Sequence, residues 1–187
     1  MKKIAVAIIL VITGVCLQAQ TLTWDIELRR VKRNETVEIN RPIRMETGED
    51  IRVTITPATD CIAYILLYRD SEQRYYVGYN GKMNGGEKNP IFFTLINPPG
   101  TVRLYVIMGF TRQAKLESLI QAYNGNQTYE NRESLRNEIA NLQVMVSAGG
   151  EPPSAILPSG VTNKEGEEFA TRFSNRDMYV RAITIRH

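Results

Sequence analysis

The chain has 187 residues, among them 23 Lys or Arg and 20 Asp or Glu. Two of the lysines fall within residues 1–19, which contain no acidic residue, so the rest of the chain is close to neutral. This balance offers no electrostatic basis for binding nucleic acid or for adhering to an anionic membrane.

Residues 1–19 have the pattern of a secretory signal peptide. Lys2 and Lys3 form a positive start, an apolar stretch runs from Ile4 to Val15, and a plausible small-residue cleavage site follows. The apolar stretch is shorter than the roughly 20 residues that a membrane-spanning helix needs. We therefore expect an exported protein of the bacterial periplasm or outer surface, with no transmembrane span after cleavage. The mature chain, residues 20–187, has a size that fits one domain.

Strand patterns dominate the first part of the mature chain. Trp24 to Arg29 alternates weakly and is predicted to be a first strand at the edge of a sheet. Two short apolar islands follow around Pro42, which cannot donate a hydrogen bond to a neighbouring strand. Ile51 to Thr56 alternates apolar and polar residues, as a strand with one wet face does. Cys61 to Tyr68 is a nearly continuous apolar run, which is typical of a central core strand.

Three more strands are predicted before the chain turns helical, from Arg74 to Tyr79, from Ile91 to Ile96 and from Val102 to Phe110. The first two are separated by Asn80 to Pro90, which holds three glycines and is predicted to be a long flexible connection. The last two are separated by a turn around Pro98 and Pro99.

A helical insert is predicted at about residues 113–146, because the apolar period changes there to that of an amphipathic helix. The second helix should begin near Thr128, a suitable N-cap residue. The apolar stripe of the first helix is Leu116, Leu119, Ile120 and Tyr123, and that of the second is Leu135, Ile139, Leu142 and Val146. A loop over Glu151 to Glu168 and a closing strand over Tyr179 to Ile185 complete the chain.

Strands, then a helical pair, then a closing strand predict a mainly β protein. We expect an antiparallel β-sandwich, immunoglobulin-like or jelly-roll-like, that carries a helical hairpin insert against one end or one face of a sheet. About seven to nine short strands are expected from the turn signals between them.

Four segments of the chain form a recognisable set: Gly48-Glu49-Asp50-Ile51, the strand from Tyr64 to Asp70 with its short polar turn, Pro98-Pro99-Gly100 before Val102 to Val106, and Tyr179-Val180-Arg181. Through them, the stretch from Thr47 to Phe110 in particular resembles a bacterial exported or envelope-associated module, the domain of unknown function 4384. The resemblance implies a non-catalytic binding or scaffolding module and assigns no functional residue.

The candidates for nucleophilic or metal chemistry are few. Cys61 is the one thiol that remains after signal cleavage, and His187 is the one histidine. A nucleophilic thiol needs a base within hydrogen-bond reach, and His187 is expected on a mobile end, so Cys61 is predicted to be a buried hydrophobic residue. Zinc prefers nitrogen and sulfur ligands, of which one histidine and one thiol supply too few, so no zinc site is predicted. Asp70-Ser71-Glu72 could offer oxygen atoms to calcium, but it lacks the ligand number and the loop glycine of a calcium-binding loop. No metal site and no cofactor are predicted. Cys16 leaves lipid attachment as a minor alternative, because Val15 is bulkier than such signals normally allow.

Tyrosines are concentrated on the predicted strands, and four of them are the candidate binding residues: Tyr64, Tyr68, Tyr75 and Tyr79. Tyr64 and Tyr68 are expected on one face of their strand, and Tyr75 and Tyr79 on one face of the next. Such tyrosines can simply stabilise the sheet as cross-strand pairs. The alternative is an exposed aromatic platform beside the Asn80 to Pro90 connection, which would recognise a glycan or a peptide.

Together these features favour a non-enzymatic exported binding or scaffolding module of the bacterial cell envelope, with a protein or glycan partner. One alternative is a hydrolase whose carboxylates meet only in the folded chain, which predicts a cleft with at least two acidic residues. Another is an assembly subunit that pairs through an exposed strand edge at Trp24 to Arg30.

Overall fold

The computed structural model describes residues 21–39, 43–148, 155–156, 171–175 and 177–187. The predicted signal peptide, the segment around Pro42 and most of the predicted loop over residues 151–168 lie outside the described residues. The elements are β1 (Leu22–Arg30), β2 (Glu35–Val37), β3 (Ile43–Arg44), β4 (Asp50–Pro57), β5 (Cys61–Arg69), β6 (Arg74–Met83), β7 (Asn89–Thr94), β8 (Thr101–Gly109), α1 (Ala114–Gly125), α2 (Tyr129–Ala148), β9 (Ala155–Ile156), β10 (Thr171–Asn175) and β11 (Met178–Arg186).

The strands form two sheets. Sheet 1 has the order β7-β4-β1-β10-β9, with β2 also paired to β1, and sheet 2 has the order β3-β11-β8-β5-β6. The strand pairs are antiparallel except for the short parallel pair of β3 and β11. The predicted mainly β fold, an antiparallel sandwich with a helical hairpin, is confirmed.

The interior of the sandwich is built from the alternating apolar positions of both sheets. Sheet 1 contributes the buried Trp24, which contacts the rings of Phe173 and Tyr179 at centroid distances of 4.9 and 4.7 Å. Sheet 2 contributes alternate residues of β5 and β8, including Ile65 and Val106. Burial of this large apolar surface is the main favourable term in the stability of the fold.

The predicted edge position of the strand at Trp24 to Arg29 is wrong. This strand, β1, lies inside sheet 1, with β4 along one side and both β10 and β2 along the other. Alternation of apolar residues reports which face of a strand is buried, but it carries no information about the strand's lateral neighbours. The alternative of assembly through an edge at Trp24 to Arg30 therefore loses its proposed site.

The helical hairpin covers the outer face of sheet 2 and forms a third layer. A second apolar cluster joins residues of β5, β6 and β8 to Leu116, Ile120 and Tyr123 of α1 and to Leu135, Ile139 and Leu142 of α2. Thr128 is confirmed as a cap of α2, because its Oγ1 accepts a hydrogen bond of 3.2 Å from the main-chain N–H of Asn131. Sheet 2 is thus covered by the sandwich core on one side and by the helices on the other.

The predicted long connection from Asn80 to Pro90 is much shorter in the structure. β6 continues to Met83 and β7 begins at Asn89. The residues between them are held against the turn after β4, since the N–H of Gly86 donates to the carbonyl of Pro57 at 2.7 Å and that of Gly85 to the carboxylate of Asp60 at 2.9 Å. The glycine content of this segment predicted flexibility. In the structure, the glycines permit close contact between the loop after β6 and the turn after β4.

The structure has eleven strands among its described residues, more than the seven to nine expected. β9 lies within the predicted loop over residues 151–168, and β10 follows that loop. Both are too short or too polar to show a period of two, and they are strands because β10 pairs with β1 and β9 pairs with β10.

Candidate functional site

The four candidate tyrosines do not share one exposed surface. Tyr64, Tyr68 and Tyr75 lie on the outer face of sheet 2 beneath the helices, whereas Tyr79 packs against the core of the sandwich. Tyr64 and Tyr75 are only 1% and 3% exposed. The predicted exposed aromatic platform is therefore wrong, although Tyr64 and Tyr68 do share a face.

A β-bulge at Gly78 separates Tyr75 from Tyr79. In the pairing of β5 with β6, Ile65 is opposite Tyr79 and Leu66 is opposite Val77, so Gly78 is the extra residue. One extra residue inverts the alternation, and the side chains after the bulge therefore exchange faces. Glycine fits this position because a Cβ there would lie 3.1 Å from Cγ2 of Ile91.

The buried tyrosines attach the helical hairpin to sheet 2. The ring centroid of Tyr75 lies 4.6 Å from that of Tyr68 and 6.0 Å from that of Tyr123 in α1. The hydroxyl of Tyr123 also accepts a hydrogen bond of 3.1 Å from the main-chain N–H of Tyr75. Burial raises the pKa of the Tyr75 and Tyr105 phenols, so both stay protonated into the alkaline range. The ring contacts between these tyrosines thus agree with the predicted role of stabilising the sheet as cross-strand pairs.

Tyr64 fixes the start of α1. Its hydroxyl accepts a hydrogen bond of 2.8 Å from the main-chain N–H of Gln113 and donates one of 2.8 Å to Oε1 of Glu117. The side chain of Gln113, the N-cap residue, makes no capping hydrogen bond. The phenol satisfies this residue's own main-chain N–H, which has no acceptor within the helix. Burial raises the pKa of Tyr64 to about 12, so the phenol acts as a hydrogen-bond donor to the carboxylate.

Glu117 is held from a second side by Arg112. Nη1 of Arg112 lies 3.1 Å from Oε1 and 3.3 Å from Oε2 of Glu117. The guanidinium is 66% exposed, whereas the carboxylate is largely covered. Tyr64 from below and Arg112 from the solvent side thus fix the orientation of one carboxylate at the protein surface.

This carboxylate lies in a cleft between β6 and α1, called here the β6–α1 cleft, with a volume of about 410 Å³. That volume is within the roughly 300–1,000 Å³ usual for ligand pockets. The lining residues are Asn80, Gly81, Arg112, Glu117, Ile120, Gln121 and Asn124. Asn80, Gln121 and Asn124 are exposed, and each carboxamide offers both hydrogen-bond donors and an acceptor.

The cleft is suited to hydrogen bonding with a polar ligand. Its lining, as far as the described residues define it, contains a single carboxylate, which is already engaged by a phenol and a guanidinium. Within the described ranges, no group of three or more His, Cys, Asp or Glu could hold a metal ion. The feature from which the cleft could have been predicted is the recurrence of Glu117, Gln121 and Asn124 at helical spacing beside the apolar stripe of α1.

Cys61 and His187 lie at opposite ends of β5. Cys61 begins the strand and is buried, and burial raises the pKa of its thiol to about 11. His187 is anchored near the other end, since its main chain exchanges two hydrogen bonds of 2.9 and 3.0 Å with Gly100. The expected mobile end is therefore wrong for His187. The strand between them spans roughly 25 Å at about 3.3 Å per residue, which excludes a Cys–His pair.

No family model matches the chain, and comparisons with curated proteins and with solved structures gave no match either. Neither helix in the described part of the chain is long and apolar enough to cross a membrane.

Proposed function

We propose that this chain is a non-enzymatic binding module of the bacterial cell envelope, exported to the periplasm or outer surface, and that its ligand binds in the β6–α1 cleft. The signal-peptide pattern of residues 1–19 and the resemblance of Thr47 to Phe110 to the domain of unknown function 4384 support the location. The preorganised Arg112–Glu117 pair in a cleft of about 410 Å³ is the observation that carries the binding role.

Preorganisation favours a binding site over a chance surface depression. Glu117 cannot reorient without losing its hydrogen bonds to both Tyr64 and Arg112. A ligand that meets groups already held in place loses less conformational entropy on binding than one that must order them. The exposed carboxamides around this fixed pair can then complete the hydrogen bonds of a polar ligand.

Hydrolysis is the weaker alternative at this site. A carboxylate-dependent glycoside hydrolase generally needs a second acid across the cleft from the first. The described lining supplies only Glu117, and the adjacent phenol of Tyr64 stays protonated because its pKa is about 12. These features support binding as the role of the cleft.

Retention of envelope components by immobilised protein tests the proposal. Replacing both Arg112 and Gln121 with Ala should abolish retention, because the cleft loses its guanidinium and one carboxamide. Arg136→Ala is the matched control, since Arg136 is 65% exposed and pairs with Glu133 at 3.3 Å on α2, outside the cleft. Equal retention by the cleft variant and the unmodified protein would rule out the cleft as the binding site.

A further inference from the structure

The β6–α1 cleft lies beside an edge of sheet 2, as the described strands define that sheet. β6 is the last strand of sheet 2, and it pairs with β5 from Arg74 to Met83. Among the strands that the structure describes, none pairs with its other side. Asn80 and Gly81 belong both to this edge strand and to the lining of the cleft. A ligand in the cleft therefore lies next to main-chain groups of a sheet edge.

Part of this edge is protected against uncontrolled pairing. The bulge at Gly78 interrupts the regular strand, and Lys82 places a charge farther along it. Bulges and lysines are two common means by which proteins prevent sheets from joining edge to edge. The short segment from Tyr79 to Gly81 lies between these two features, and two of its residues, Asn80 and Gly81, line the cleft.

The charges of the cleft favour an uncharged polar ligand. Arg112 and Glu117 neutralise each other, so a charged group entering the cleft would compete with an existing ion pair. The carboxamides of Asn80, Gln121 and Asn124 remain for neutral hydrogen bonding. None of the described lining residues is aromatic, so the cleft offers no ring on which the apolar face of a sugar could stack.

We propose that the ligand is an extended polypeptide segment with uncharged polar side chains, which adds a strand to β6 at Tyr79 to Gly81 and places one side chain in the cleft. This rests on the proposed function and names its ligand class. In strand addition, main-chain hydrogen bonds supply affinity and a pocket for alternate side chains supplies specificity. The side of β6 that no described strand occupies and the polar cleft beside it provide these two parts.

A phage-displayed library of random dodecapeptides, selected on the purified exported protein, is the probe. Enriched peptides should be rich in Asn, Gln, Ser and Thr, and synthetic copies should bind about tenfold more weakly to Gln121→Ala, as expected for the loss of one or two hydrogen bonds. The Arg136→Ala control should bind them unchanged. Methylating successive main-chain nitrogens of a peptide should abolish binding at every second position, because alternate N–H groups of a strand point to the same neighbour.

A glycan array, applied to the same proteins, separates the possible failures. Glycans bound by the unmodified protein and lost by Gln121→Ala, with no peptide enriched, would overturn the polypeptide ligand and leave the cleft as a binding site. Peptides that bind with no alternation in the N-methyl series would overturn strand addition. Binding that is equal in Gln121→Ala, or absent for both probes, would overturn the proposed function as well.

Discussion

Two consecutive tyrosines of β6 have opposite environments. Tyr75 is 3% exposed beneath the helical hairpin, and its ring contacts those of Tyr68 and Tyr123. Tyr76 is 39% exposed, its hydroxyl bonds to Glu72, and the guanidinium of Arg69 lies over its ring. Their contributions to stability should therefore differ greatly.

We expect Tyr75→Ala to lower the free energy of unfolding by about 3–5 kcal/mol, as large-to-small substitutions in a core do. Tyr76→Ala should lower it by about 1 kcal/mol or less, because its contacts are at the surface. Urea denaturation of both variants measures the difference. Similar losses for the two would contradict the position of Tyr75 in the core. Loss of ligand retention by Tyr75→Ala would report unfolding and not a lost contact to the ligand.

Replacing Tyr64 with Phe removes one hydroxyl from the start of α1. The N–H of Gln113 loses its acceptor and Glu117 loses a donor, so the free energy of unfolding should fall by about 1–3 kcal/mol. Tyr76→Phe is the control, since it removes a hydroxyl that bonds to a carboxylate at the surface, and its effect should stay within about 0.5 kcal/mol. Equal denaturation midpoints for the two variants would show that the phenol of Tyr64 does not stabilise α1.

Buried tyrosines should make the protein less stable at alkaline pH. Burial raises the pKa of Tyr64 from 10.0 to about 12, and it also raises the pKa of Tyr75 and Tyr179. The unfolded chain loses these protons near pH 10 and the folded chain retains them to higher pH, so stability is complete below about pH 10 and falls as the pH rises from there toward 12. Between about pH 9 and pH 11, the midpoint of urea denaturation should fall less for Tyr64→Phe than for the unmodified protein.

Among the elements, the two loops at one end of the sandwich depend on each other. A Cβ at Gly85 would lie 2.8 Å from Cα of Thr59, so the loop after β6 and the turn after β4 are in main-chain contact there. Gly85→Ala must move one of these loops and should lower the free energy of unfolding by about 1–3 kcal/mol, a typical cost of overpacking. Differential scanning calorimetry of the variant measures the effect.

Gly125→Ala is the control for Gly85→Ala. A Cβ at Gly125 would have no atom within 4 Å, and this residue ends α1. We expect no loss of stability, or a gain of about 0.4–1 kcal/mol from reduced entropy of the unfolded chain. A loss at Gly125 as large as that at Gly85 would contradict the explanation by close contact.

In the molecule as a whole, three stacked layers place sheet 2 in the middle. β8 has β5 and β11 as lateral neighbours, the sandwich core on one face and the helical layer on the other. β7 lies at the edge of sheet 1, and its Phe92 is largely exposed. Local opening requires less energy where few apolar contacts are lost.

We therefore expect the main-chain amides of residues 101–109 to exchange hydrogen more slowly than those of residues 89–94. Hydrogen exchange followed by mass spectrometry measures both segments in one experiment. Equal rates would mean that the helical layer adds no protection to sheet 2. Faster exchange of residues 101–109 in Tyr75→Ala than in Tyr76→Ala would link that protection to the attachment of the helices.

Much of the fold could be predicted because burial of a face has a local signature. The alternation in β4 and β8 and the helical stripes of α1 and α2 predict which side chains are buried, and the structure agrees for most of them. The exceptions are Leu119, which is only partly buried against the helical cluster, and Val146, which is half-buried and belongs to neither apolar cluster. The interior position of β1 and the existence of β9 and β10 could not be predicted in this way, since lateral pairing depends on main-chain groups that every residue carries alike.

The candidate site depended more on tertiary structure. The sequence by itself determined that tyrosines cluster on β5 and β6, and that Tyr64 and Tyr68 share a face. Only the structure decided that the bulge at Gly78 places Tyr75 and Tyr79 on opposite faces, and that the helices bury Tyr64. It also decided that Arg112 and Glu117 line one cleft with Asn80, which lies more than 30 residues earlier in the chain. The physical reason is that local periodicity specifies which faces are apolar, whereas the element that covers a face is chosen by packing across the whole molecule.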